Sequence, residues 1–123
     1  MQLVIDGFVK RVLPRLELKD VVLDCMDLIK VKPAGPFSYR QTYLGSSCIQ
    51  MLFESHISIA YKGDCVMVTV FSCKDFNHHR CFEFLRDRLY IDIIIRNQVI
   101  PREFLTREEY RPQVMPPPAL PQV

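Results

Sequence analysis

Cys65-Val66-Met67-Val68-Thr69-Val70-Phe71 alternates in strict period two, with Val66, Val68 and Val70 on one side and Met67, Thr69 and Phe71 on the other. Successive side chains of a strand point to opposite faces, so this heptad reads as a β-strand. Both of its faces are largely apolar, which predicts a central position in a sheet. Upstream, Lys62-Gly63-Asp64 is a tight turn and predicts a hairpin. Its partner is a strand-like stretch over residues 48–61, interrupted by the polar triplet Glu54-Ser55-His56. Gly45-Ser46-Ser47 reads as a turn or bulge, and residues 37–44 are aromatic and β-branched enough for another strand.

Helical periodicity appears on either side of this block. Apolar residues at 18, 21, 22, 25, 28 and 29 form an i, i+3, i+4, i+7 stripe, with Lys19, Asp20, Asp24 and Asp27 on the wet side. Lys32-Pro33-Ala34-Gly35-Pro36 ends that helix and turns the chain. Asp75 and Asn77 are candidate caps for a second helix reaching about Leu89, with Cys81, Phe82, Leu85 and Leu89 on its buried side. Residues 3–9 read as a first strand and 91–95 as a last one, with Pro101 stopping any continuation. The order predicts an α+β fold, an antiparallel sheet with two helices on one face, as a two-layer sandwich. The domain spans residues 1–110, and the proline-rich tail of 111–123 is expected to be disordered.

Composition excludes several function classes. At 123 residues, 49% hydrophobic and 24% charged, the chain is one ordinary folded domain. A net charge of +2 with scattered Lys and Arg gives no nucleic-acid footprint. Five cysteines without a CxxC pair suggest neither a disulfide ladder nor a zinc framework, which fits a reducing cytosol. No apolar run approaches the ~18 residues of a membrane span, and the N-terminus lacks signal-peptide character. A cytoplasmic protein is expected. His78, His79 and Cys81 look like metal ligands, but adjacent histidines on a helix diverge by about 100°, so no metal is expected.

Glu54-Ser55-His56 breaks an apolar strand without a packing reason, and such breaks are where function is sought. Neighbours on a strand face opposite ways, so His56 is not simply the base for Ser55. Cys73 closes the central strand, where a reactive thiol and a buried structural cysteine are both open readings.

The triplet Glu54-Ser55-His56-Ile57-Ser58-Ile59, the hairpin turn after it, and Val68-Thr69-Val70-Phe71-Ser72-Cys73 together resemble the small bacterial and archaeal S-adenosylmethionine decarboxylases. Glu-Ser-His followed by a strand ending in Phe-Thr-Cys is that family's pattern, and Leu3-Val4-Ile5-Asp6 is similar to its first strand. The resemblance implies self-cleavage between Glu54 and Ser55. It also implies conversion of Ser55 to a pyruvoyl cofactor, and decarboxylation of S-adenosylmethionine for polyamine (spermidine) biosynthesis. It implies Cys73 as proton donor, Ser47 as an aid to processing, and Glu54 with Phe53 or Phe8 near the substrate. A homodimer is implied as well. One departure stands out: Ala60 occupies the position where the family has a histidine that supports processing. That substitution implies cleavage that is slow, stalled or dependent on another base. Three alternatives accompany this reading. They are a pyruvoyl decarboxylase of ornithine or arginine, a processing-deficient relative that binds the nucleotide or pairs with an active partner, and a ferredoxin-like interaction domain.

Overall fold

The computed structural model describes residues 1–101 and 106–112. Its elements are β1 (Gln2–Val9), α1 (Arg15–Ile29), β2 (Pro33–Thr42), β3 (Gly45–Leu52), β4 (Ser55–Lys62), β5 (Cys65–Phe71), α2 (His78–Arg88) and β6 (Ile91–Ile100). The six strands form one sheet in the order β2-β3-β4-β5-β1-β6, and every pairing is antiparallel. Apart from Arg111 and Pro112, the proline-rich tail lies outside the described residues.

Alternation along the strands decides which side is covered. Leu3, Ile5 and Val9 of β1, Ile57, Ile59 and Tyr61 of β4, and Val66, Val68 and Val70 of β5 are buried on one face. Against them pack Leu18, Val21, Val22, Cys25 and Met26 of α1 and Cys81, Leu85 and Leu89 of α2, giving one continuous core. Burial of each large aliphatic side chain contributes about 1.5–3 kcal/mol. Cys25 and Cys81 meet between the helices with sulfurs 3.8 Å apart. Contact with Cys81 and burial together push the Cys25 thiol well above the ordinary cysteine value, so these are packing residues.

The antiparallel sheet with two helices on one face is as the sequence leads one to expect, while several boundaries differ. Residues 48–61 are two strands: β3 and β4 are joined by a tight turn at Phe53-Glu54, so the polar triplet marks a hairpin tip and not a strand interior. The turn before β3 is Tyr43-Leu44, and Gly45-Ser46-Ser47 already belongs to the strand. Gly45 is there because a Cβ would run into the carbonyl oxygen of Tyr61. Its φ of 152° is also one that L side chains rarely adopt. We expect Gly45→Ala to lower stability by about 1–3 kcal/mol, read as a shift in the urea unfolding midpoint at constant slope.

Pro33 begins β2 instead of only ending α1, and β6 runs on to Ile100. Asn77, not Asp75, caps α2, its side chain accepting from the Arg80 N–H at 3.1 Å. β5 is flanked on both sides by strands, yet Met67 on its second face is exposed, because both helices lie on the other side. Apolar character on both faces correctly placed the strand within the sheet; it did not require a second covering layer within this chain.

Candidate functional site

Ser55 opens β4 immediately after the turn. It lies on the core-facing side and is 6% exposed, whereas His56 faces the uncovered side beside Phe71, ring centroids 5.7 Å apart. Burial holds the His56 imidazole below its ordinary pKa. The two neighbours thus occupy opposite faces.

His56 pairs with Phe71, so the chain leaving β5 at Ser72 and Cys73 passes alongside Ser55. The Cys73 backbone N–H donates to Ser55 Oγ at 3.3 Å, and the Cys73 thiol donates to the carbonyl oxygen of Glu54 at 2.6 Å. The Glu54–Ser55 peptide bond therefore has a donor on its carbonyl oxygen and a hydroxyl on its following residue. Glu54 itself has φ 59°, the left-handed region, which costs a residue with a side chain roughly 1–2 kcal/mol. Backbone strain of this kind collects at functional positions. Ser72 is buried and its hydroxyl accepts from the Lys74 N–H, which fixes the segment that carries Cys73.

Two cavities flank this bond. One, of about 450 Å³, is lined by Lys30, Lys32, Phe53, Glu54, Ser55 and Cys73 among others. The second, of about 700 Å³, is lined by Met51, Leu52, Glu54, Ser55, His56 and Phe71.

The site residues expected from sequence divide into two groups. Glu54, Ser55, Cys73 and Phe53 come together. Ser47 and Phe8 do not join them. Ser47 is exposed on the uncovered face opposite Ala60, five steps along the β3–β4 ladder from the Leu52–Ser55 pair, or roughly 16 Å. Phe8 pairs with Cys65 at the far end of β5, roughly 20 Å of strand away from Phe71. Ala60 shares the position of Ser47, so a histidine there would not reach Ser55 of its own chain. The Lys30, Lys32 and Lys74 lining is new. Lys74 adjoins Cys73 in sequence, but only the fold brings the end of α1 to it.

His78 and His79 also differ from expectation. As the first residues of α2 they have room to lie side by side, ring centroids 4.3 Å apart, instead of diverging. Cys81 is buried against Cys25, away from them, and among the described residues no three His, Cys, Asp or Glu side chains gather as a metal site requires. Among the described residues no helix is long and apolar enough to cross a membrane.

The family model for S-adenosylmethionine decarboxylase matches residues 10–103, which include the turn, Ser55 and Cys73. The chain belongs to the S-adenosylmethionine decarboxylase family. Among solved structures, the adenosylmethionine decarboxylase from Aquifex aeolicus VF5 superimposes with a TM-score of 0.69 at 20% identity, covering 89% of this chain and 95% of that one. At that identity the likeness speaks for the fold alone. No curated protein matches the chain at a significant level. Within the decarboxylase family framework, the geometry at Glu54–Ser55 acquires a chemical meaning.

Proposed function

We propose that this chain is a pyruvoyl-dependent carboxy-lyase acting on S-adenosylmethionine, which feeds polyamine (spermidine) synthesis, and that it arms itself by cleavage between Glu54 and Ser55. The observation that carries the reading is the Cys73 thiol on the Glu54 carbonyl oxygen with Ser55 Oγ held by the Cys73 N–H. The residues present fit the group that membership of the family implies: a serine at the right bond and a donor on the oxygen that must take negative charge.

The chemistry derives from these atoms. Ser55 Oγ attacks the Glu54 carbonyl carbon, charge collects on the oxygen facing the Cys73 thiol, and the Glu54–Ser55 C–N bond breaks. The nitrogen takes a proton and an ester links Glu54 to Ser55 Oγ. Loss of the Ser55 α-proton expels the Glu54 carboxylate, and water then releases ammonia to leave a pyruvoyl group. When present, that group supplies an electron sink for loss of CO2. Cys73, with its thiol at the cleavage point, is the residue to return a proton to the substrate carbon.

A second reading has its own observation. No acceptor takes the Ser55 hydroxyl proton among the described residues, and Ala60 brings no imidazole. A processing-deficient relative would have this appearance. Denaturing mass spectrometry of the purified chain distinguishes the two: two fragments divided at residue 55 support the lyase, and one intact mass after long incubation overturns it.

We further propose a homodimer. The sheet face opposite the helices exposes Ile49, Met51, Met67 and Ile93, an apolar surface that a second copy would cover. Ser47 and Ala60 lie on it, so any part they take in cleavage is in the partner. Accordingly, Ala60→His is expected to accelerate cleavage only in proportion to dimer content, measured by fragment yield across a dilution series. Acceleration independent of concentration would overturn the assignment in trans.

A further inference from the structure

The cavity on the helix side of Ser55 is lined by three lysines, Lys30, Lys32 and Lys74, and by one acidic residue, Glu54. They reach it from separate places. Lys30 caps the C-terminus of α1 in the left-handed conformation, Lys32 leads into β2, and Lys74 comes directly after Cys73. None of the three lysines is in an ion pair or side-chain hydrogen bond with another described residue, whereas Arg11, Arg88 and Arg96 each have a carboxylate partner. The α1 C-terminus contributes the equivalent of about half a negative charge. In the uncut chain, that and Glu54 together still leave the cavity with an uncompensated positive charge of roughly one to two, and the α-carboxylate that cleavage would leave on Glu54 lowers it to roughly half a charge. The neighbouring cavity is the reverse. Its lining holds Met51, Leu52, His56 and Phe71, with Glu54 as its carboxylate and no lysine or arginine.

We propose that Lys30, Lys32 and Lys74 form an anion subsite that takes the carboxylate of the amino-acid substrate, resting on the assignment of Ser55 as the reacting residue. The two cavities meet at Glu54 and Ser55, so a substrate with an anionic end and a cationic body spans them in one orientation. Its carboxylate faces the lysines and its cation faces Glu54 and the Phe71 ring. The lysines hold a group that departs as CO2, so they strengthen ground-state binding and not the transition state. Their signature is a KM effect.

The test uses the Ser55→Ala chain, which cannot cleave, so binding is read independently of processing. Inorganic phosphate should shift the backbone amide resonances of residues 30–32 and 73–74 with a saturating curve. S-adenosylmethionine should bind about tenfold more tightly than its decarboxylated product, which lacks only the carboxylate, since exposed ion pairs contribute a few-fold each. The triple variant Lys30→Gln, Lys32→Gln, Lys74→Gln should lose both the phosphate shifts and the preference. In cleaved enzyme it should raise KM about tenfold with kcat unchanged or higher. Equal binding of the two adenosyl compounds, a preference that survives the triple variant, or absent phosphate shifts would each overturn the subsite. Phosphate shifts at these amides with neither adenosyl compound binding would support the anion subsite and overturn the substrate assignment instead.

Discussion

A Ser55→Ala chain is expected to stay intact indefinitely while the unaltered chain divides, the largest effect any single substitution here should produce. The hydroxyl is the only atom of residue 55 that can add to the Glu54 carbonyl; alanine offers no nucleophile, and no neighbour stands in. The Cys73 thiol beside this bond is engaged as a donor to the carbonyl oxygen. The variant should fold. Removing the hydroxyl leaves the Cys73 N–H without its acceptor at a partly buried position, a loss of about 1 kcal/mol. Denaturing mass spectrometry after matched incubations reads the result, with an unfolding curve to show that the uncut variant is native. A Ser55→Ala chain that still divides at this bond would remove Ser55 from the chemistry.

The second large effect should come from Cys73, and its two roles can be told apart. Cys73→Ala removes the donor from the Glu54 oxygen, and loss of one such donor costs on the order of 10²-fold. In the fraction that does cleave, turnover should fall by about 10²–10⁴, the range for removing a positioned acid. Cys73→Ser separates the roles. A hydroxyl still donates to the carbonyl oxygen, so cleavage should recover most of the loss. It is a far weaker acid than a thiol, so CO2 release per cleaved chain should stay depressed. Fragment yield and labelled CO2 release, measured on the same preparations, give both numbers. Equal recovery of both activities in Cys73→Ser would mean that the thiol acts only as a hydrogen-bond donor.

Much of this was legible in the sequence because it depends on short-range rules. Period two in residues 65–71 and the stripe from Leu18 to Ile29 come from where successive side chains point, and both elements form as read. The pairing of Glu54-Ser55 with Cys73 came from the resemblance to a known family, because the residues alone left Cys73 open between a reactive and a structural thiol. The misreadings share a cause. Residues 48–61 were strand-like on both sides of the polar triplet, and the turn at Phe53-Glu54 depends on Glu54 entering the left-handed region, which no local preference of glutamate announces. Gly45 looked like a turn residue, whereas its reason is the approach of the Tyr61 carbonyl from another strand.

The sequence by itself determined the element types and the antiparallel α+β architecture, since those rest on local periodicity, whereas the candidate bond between Glu54 and Ser55 came from the resemblance to a known family. Only the tertiary structure decided that β1 inserts between β5 and β6, that the Cys73 thiol lies on the Glu54 oxygen, and that Ser47, Ala60 and Phe8 stand far from Ser55. It also decided that the end of α1 delivers Lys30 and Lys32 to the cavity where Lys74 already lies. The physical reason is that strand order and register are fixed by which apolar faces can be buried together under two helices. That choice is made by the whole core at once, and no segment carries it alone.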